Sequence, residues 1–546
     1  MAPRLLSFVA ALTLPLACQV LVGIEERKEY RAPATGGAEN GGAAGSPSEE
    51  PSGGSSSGGK GNGGSGPAGP EVCGDGIQQG AEVCDDGDEN GEAGKCHESC
   101  SFVCVGNCPL HVDSQIGRAG NGSSWAIALR SLQDAVDQQW MAGGGEVWVK
   151  ATELRATGPG PLLVLRAGVD VYGGFEGTEV RRADRREPTA ASATVLHANE
   201  LAAPAVMGAS SARLDGFVIR DAVGDMGAAF QAEGTTGLIL RDVYFTENHA
   251  AACGGAMYLE NASVRLEGGA FEGNTSDATG GAICARKASS LDMRGTRFMG
   301  NRAVTSGGAI HARGDYSPVA HPTLVLKDTT FIDNGATSEV SNEGGGALEQ
   351  VGGTLTVSDS DFQGNYVHAL APGAALRLED VAGQIVNSLF VEHVEGRPAV
   401  HSTVGSLSIV GSTFAFNDCP DGCDVGGDSI VLRNSVLVAR DKLMSPTSGQ
   451  VNAADNCHVF LSGGLGERPS PFGDALLDRD GNGVDDYLLV QPGDNPCVDA
   501  GSDAAADDAG IDWRNMTTSG SGCLDVSPVD AGRHYPSSNA NAQGCQ

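Results

Sequence analysis

Between Leu238 and Leu437 the chain repeats one short arrangement of apolar and polar residues. Its most regular member is a phenylalanine: Phe245, Phe271, Phe298, Phe331, Phe362, Phe390 and Phe414, spaced by 24 to 33 residues. Seven residues earlier stand Leu238, Val264, Leu291, Leu324, Leu355, Gly383 and Leu407. Five earlier stand Leu240, Leu266, Met293, Leu326, Val357, Ile385 and Ile409. Apolar residues two apart define a strand with one inward face, which leaves Arg241, Glu267, Arg294 and Lys327 outside. A further rung fits at Ile430, Leu432, Asn434 and Leu437, where leucine replaces the ring. Three residues after the ring comes Asn248, Asn274, Asn301, Asn334 or Asn365; His393 interrupts this column and Asn417 restores it. A Gly-Gly-Ala-apolar step follows at 254–257, 280–283, 307–310 and 345–348, with a relaxed copy at 373–376.

A period of this length marks a solenoid, with one supersecondary unit per repeat. Stacked strands about 4.8 Å apart would place ring over ring and amide over amide. The glycines would supply positive φ and close backbone approach at a corner. Upstream, residues 126–136 have helical apolar spacing after Gly122-Ser123-Ser124-Trp125, and 146–149 and 169–175 read as strands. That order resembles the N-terminal cap of bacterial right-handed β-helix proteins. The Gly-Gly-Ala-Ile and Phe-x-x-Asn steps resemble the repeat of chlamydial polymorphic outer-membrane proteins, a family associated with surface display and adhesion. The segment from Leu488 to Gly501, with Val529-Asp530-Ala531-Gly532, resembles the closing segment of secreted bacterial β-helices. The expected fold is therefore all-β: a right-handed parallel β-helix of the pectin-lyase-like kind.

Composition narrows the setting. The 546 residues carry 35 Lys+Arg against 69 Asp+Glu, a net charge of -34, which disfavours nucleic acid as a partner. Fifteen cysteines suit an oxidising compartment. Arg4 precedes an apolar run from Leu5 to Leu16, which reads as a secretory signal (1–17). Leu14-Pro15-Leu16-Ala17-Cys18 resembles the lipobox of bacterial lipoproteins, which implies acylation at Cys18 and a membrane partner through that anchor. Residues 18–70, rich in Gly, Ser and Pro, form the anchor and a flexible tether.

The segment 71–108 holds Cys73, Cys84, Cys96, Cys100, Cys104 and Cys108 and almost no core formers, so cross-links must stabilise it. Cys73-Gly74-Asp75-Gly76 and Glu82-Val83-Cys84-Asp85-Asp86-Gly87 resemble a cysteine-rich repeat of myxobacterial surface proteins, in which the cysteines pair. Six cysteines allow 15 pairings, and spacing does not choose among them. The rival ligand, zinc, would need a two-residue knuckle that these gaps lack. Residues 109–237 are expected to form the cap and first coils, 238–440 the repeats, and 441–546 the last coils and closing cap. Cys457, Cys497, Cys523 and Cys545 are expected to cross-link the C-terminal region, and Cys419 to pair with Cys423. Cys253 and Cys284 are 31 residues apart beside a 26-residue coil, a register off by five, so the spacing does not assign a bond between them.

Candidate chemistry is sparse. Asp478, Asp480, Asn482 and Asp486 place oxygen ligands around glycines, as a calcium loop requires, and an unoccupied acidic turn is the alternative. The column three residues before the ring reads Asp242, Gly268, Gly295, Asp328, Asp359, Asn387 and Gly411. Asp328 and Asp359, on neighbouring coils, could divide acid and base roles as in a glycosidase. Residues confined to Asp, Asn and Gly are also what a tight corner demands, and corner chemistry is the expectation. The Asn-Thr-Asp, Gly-His-Gly and Arg-Ile-Lys signatures of polygalacturonases are absent, and His311, His321 and His401 read as surface residues. The sequence thus points to a non-enzymatic, lipid-anchored outer-membrane or cell-surface protein, with secretion or a periplasmic location as alternatives. Its expected partner is a glycan or a cell-surface protein. A carbohydrate lyase or hydrolase, with a cleft near Asp328, Asp359, Arg294 or Lys327, and a plain structural spacer are the other readings.

Overall fold

The computed structural model describes residues 108–460 except 201–203, 316–319, 338–342, 369–370, 394–397, 418–423 and 440–446. It also describes positions 73, 85, 90, 96, 97 and 100, and at the C-terminal side 497, 501–511, 516–517 and 534–536. Cys18, Cys84, Cys104, Cys419, Cys423, Cys523, Cys545 and the acidic loop at Asp478, Asp480, Asn482 and Asp486 lie outside the described residues.

The fold is a right-handed parallel β-helix. Each repeat contributes four segments. Segment a follows the Gly-Gly-Ala step (Met257–Glu260, Ile283–Arg286, Ile310–Arg313). Segment b carries the two apolar columns (Ser263–Glu267, Ser290–Arg294, Thr323–Lys327). Segment c carries the ring (Ala270–Glu272, Arg297–Met299, Thr330–Ile332) and segment d follows the asparagine (Thr275–Ser276, Arg302–Ala303, Gly335–Ala336). Every segment pairs in parallel with its copy on the next coil, Phe271 on Phe298 and Leu291 on Leu324, for example. The d segments make a separate six-stranded sheet.

The inward columns build one continuous core, in which the seven rings are all buried. From Phe245 to Phe414 successive ring centroids stand 4.6–4.8 Å apart with planes within 11° of parallel. The strand spacing imposes this face-to-face stack, although isolated rings prefer an offset or edge contact.

The corners follow from backbone chemistry. In the column before the ring, φ is +47° at Asp242, +50° at Asp328, +52° at Asp359 and +50° at Asn387, and Gly268, Gly295 and Gly411 take +66°, +64° and +62°. These side chains tolerate the left-handed region at least cost, so the corner reading of the column holds. The two glycines of the Gly-Gly-Ala step serve different needs. Gly280 takes φ +63°, whereas at Gly281 a Cβ would stand 2.1 Å from the Gly308 carbonyl oxygen on the next coil.

The N-terminal end is covered by helix α1, Leu132–Met141, whose Leu132, Ala135 and Val136 join the core. The helix starts later than the apolar spacing suggests. Ser131 caps it by accepting the Asp134 N–H at 3.1 Å, and Trp125–Ile127 form a separate 3-10 turn.

Candidate functional site

Three sets of outward polar residues could carry function. The first is a buried network on segment a. Glu349 accepts from His311 Nδ1 at 2.9 Å, from Arg377 at 2.5 Å and from the Ser306 hydroxyl. Ser306, His311 and Glu349 are all buried, which corrects the expectation that His311 lies on the surface. Burial works to raise the Glu349 carboxyl, but its bonds to His311 and the charge of Arg377 leave it below the usual carboxylate range. Both Ser306 and Glu349 reach the same His311 nitrogen, so no relay from base to nucleophile can run through the ring. The network ties three consecutive coils together.

The same geometry explains a disulfide that the spacing did not assign. Cys253 bonds to Cys284, with Cα atoms 5.6 Å apart. Cys253 precedes the Gly-Gly step as Ser306 does, and Cys284 occupies on the next coil the segment-a position that Glu349 holds. The bond therefore crosses from one column to another, and five residues beyond one coil is the required separation. Elsewhere Cys73 pairs with Cys100 and Cys457 with Cys497, while Cys96 and Cys108 are also disulfide-bonded.

The second set is the corner carboxylates. Burial, then the neighbouring Asp215, push Asp242 up to about 6. Asp359 Oδ1 accepts from Asn387 Nδ2 at 2.8 Å. Asp359 is thus engaged along the corner column, and Asp328 sits at the same strained corner. Among the described residues no group of three or more His, Cys, Asp or Glu could hold a metal ion.

The third set is the outer face of segment b. Three columns run along it: Ser263, Ser290, Thr323 and Thr354; Arg265, Asp292, Val325 and Thr356; and Arg241, Glu267, Arg294, Lys327 and Ser358. Arg265 and Arg294 share Asp292, each at 3.1 Å, and Lys327 is exposed. On later coils the outermost column changes to Val386 and Val410. There the C-terminal segment returns over the face: helix α2, Asp503–Ala509, and Ile511 pack Ala506, Ala509 and Ile511 on the two valines. Two corner asparagines hold this strap as a neighbouring strand would. Asn434 exchanges two 2.8 Å bonds with the Ser502 backbone, and Asn387 does the same with His534 at 2.6 and 2.9 Å. The change from charge to valine in this column was readable in sequence, but the segment that covers the valines was not.

A model of the Chlamydia polymorphic membrane protein repeat matches residues 268–286, which span one corner, ring, asparagine and Gly-Gly-Ala step. No curated protein matches the chain. Among solved structures it is similar to the A-module of the mannuronan C-5 epimerase AlgE6 of Azotobacter vinelandii, with 15% identity over 64% of this chain and 98% of that one, TM-score 0.29. It is also similar to the tailspike of the Escherichia coli bacteriophage HK620 (12%, 60% and 74%, TM-score 0.31). A third likeness is to PfbA, a surface adhesin of Streptococcus pneumoniae (11%, 65% and 92%, TM-score 0.28). At such scores none of these likenesses bears on what this chain binds.

Proposed function

We propose that the protein is an exported, non-enzymatic surface protein, held at the outer membrane through an acylated Cys18 and the tether of residues 18–70. It displays its β-helix for contact with a glycan or a cell-surface protein. The observation that carries this reading is the open b face from Arg241 to Ser358. Apart from Ile239 and Val325 its outward residues are polar, and it carries four cationic side chains against two anionic ones on a chain of net charge -34. A lyase or hydrolase is disfavoured because the carboxylates that would serve it occupy corners and the buried histidine network is closed.

Binding of the labelled mature chain to intact cells tests this. Arg265→Ala/Arg294→Ala/Lys327→Ala should reduce binding about tenfold and flatten its salt dependence, since exposed charge attraction is screened within roughly 10 Å at 0.1 M salt. Unchanged binding would count against the face. The anchor is tested separately: Cys18→Ala should move the protein from the membrane fraction to the medium, and retention in the membrane would remove the lipid.

A further inference from the structure

A second exposed site lies on the outer face of the d sheet, a separate sheet from the one that holds the b columns. The outward residues there run Val223, His249, Thr275, Arg302, Gly335 and Tyr366, one per coil. Gly335 breaks the column, and the Tyr366 phenol leans back into the space. A Cβ at Gly335 would stand 2.1 Å from Tyr366 Cζ, so only glycine admits the ring in this position. The Arg302 guanidinium stands 5.9 Å from the ring centre. At the adjoining corner is Asp333, with φ +53° and an exposed carboxylate that leans over Gly364. Arg302 and Asp333 are near enough to interact through charge, but they form no ion pair.

Apart from the contact between the guanidinium and the ring, the polar atoms of the three groups are not used by the fold. Among the described residues the Arg302 guanidinium, the Tyr366 hydroxyl and the Asp333 carboxylate have no hydrogen-bond or ion-pair partner. By contrast Arg265 and Arg294, the exposed arginines of the b face, share Asp292. A cation, an anion, a hydroxyl and a half-buried aromatic ring seated over Gly335 therefore lie together on this face.

We propose that Tyr366, Arg302 and Asp333 form a saccharide subsite that takes a neutral pyranose unit of a glycan. The negative face of the aromatic ring suits the C–H face of a sugar. The guanidinium donates to hydroxyl oxygens, and the carboxylate accepts from hydroxyl hydrogens, so adjacent hydroxyls satisfy both at once. Glu392 adds a second negative charge beside Asp333, so the two carboxylates outweigh Arg302 and an acidic sugar gains no advantage. The subsite rests on the reading of the chain as a surface binding protein and names one class of ligand for it.

The test uses the mature chain on a printed array of neutral glucose, galactose, mannose and N-acetylhexosamine oligomers, with uronate oligomers as the acidic arm. Neutral oligomers should be retained in preference to uronates. Tyr366→Ala and Arg302→Ala should each weaken the best neutral binder about tenfold, while Tyr366→Phe should stay within about threefold. Melting curves of the variants check that the coils remain folded. Retention of uronates alone, no retention of any neutral oligomer, or full binding by both alanine variants would overturn the subsite. Loss of this site leaves cell binding through the b face unaffected, and failure of that face leaves oligomer retention intact, so the two failures are distinguishable.

Discussion

Single residues at the interior corner between segments c and d decide how each coil registers on the next. Asn248, Asn274, Asn301 and Asn334 each donate Nδ2 to the following asparagine's Oδ1, at 2.9–3.0 Å, and also to a carbonyl on the preceding coil. His393 breaks the series. Its Nδ1 meets the Asn365 backbone, and its buried Nε2 has no partner. Burial lowers His393 to about 3, so the ring must stay neutral in the folded state. A depressed histidine favours folding above its unfolded value and loses that contribution as pH falls from about 6.5 towards 3. His393→Asn should restore the amide ladder, raise stability by about 1 kcal/mol and flatten this acid limb in thermal melts. Asp424, which accepts from Asn417 at 2.8 Å, has the opposite sign. Burial raises it to about 7, so its contribution is full below about 4 and is lost as pH rises through 7. Asp424→Asn should therefore raise the melting temperature at pH 8 by about 2 °C or more, with little change at pH 4. At the outer corner, Asp328→Gly should be nearly neutral. Asp328→Val should cost about 1–2 kcal/mol in denaturant unfolding, because a β-branched residue is forced to φ +50°.

At the scale of elements, the pairing of a segment with its copy depends on what crosses between coils. Glu349→Ala would leave the buried His311 without its carboxylate and the half-buried Arg377 with Glu379 alone, and unfolding should be easier by about 1–3 kcal/mol. Removing both Cys253 and Cys284 should cost about 3 kcal/mol, since the bond closes a loop of 31 residues, and calorimetry against the intact chain would show it. The periodic elements were legible because the physics that builds them is local to each repeat. A ring, an asparagine and two glycines recur at fixed offsets, and each requires its own kind of neighbour. The network around Glu349 was not legible, because it joins different columns on successive coils and leaves no single-column pattern. Helix α1 was legible in type but displaced at its start, since Ser131 caps it several residues beyond the first apolar position.

For the molecule as a whole, a solenoid must protect its ends, where core edges would otherwise meet water. At the N-terminal side α1 closes the core, and His97 of the cysteine-rich segment packs near His111, with ring centres 6.1 Å apart. Burial brings His111 down to about 4. At the C-terminal side the strap runs against the coil order. Cys497 is bonded to Cys457, Ser502 to Asn434, α2 lies over Val410 and Val386, and His534 is bonded to Asn387. The strap limits the candidate binding face to the coils before it, so the open face was legible only in part. Its charged column stood out in the sequence, but its far boundary is set by residues a hundred positions later. The ring stack, the amide ladder and the outer faces all depend on direct stacking of consecutive coils, and engineered cross-linking tests that most directly. Ser290 and Thr323 are Cα partners on adjacent coils, whereas Ser290 and Val325 are offset by two residues. Oxidation of Ser290→Cys/Thr323→Cys should give a bridged peptide by mass spectrometry, because a disulfide needs Cα atoms within about 4.4–6.8 Å. Ser290→Cys/Val325→Cys should give little, and equal bridging by both pairs would contradict the stacking.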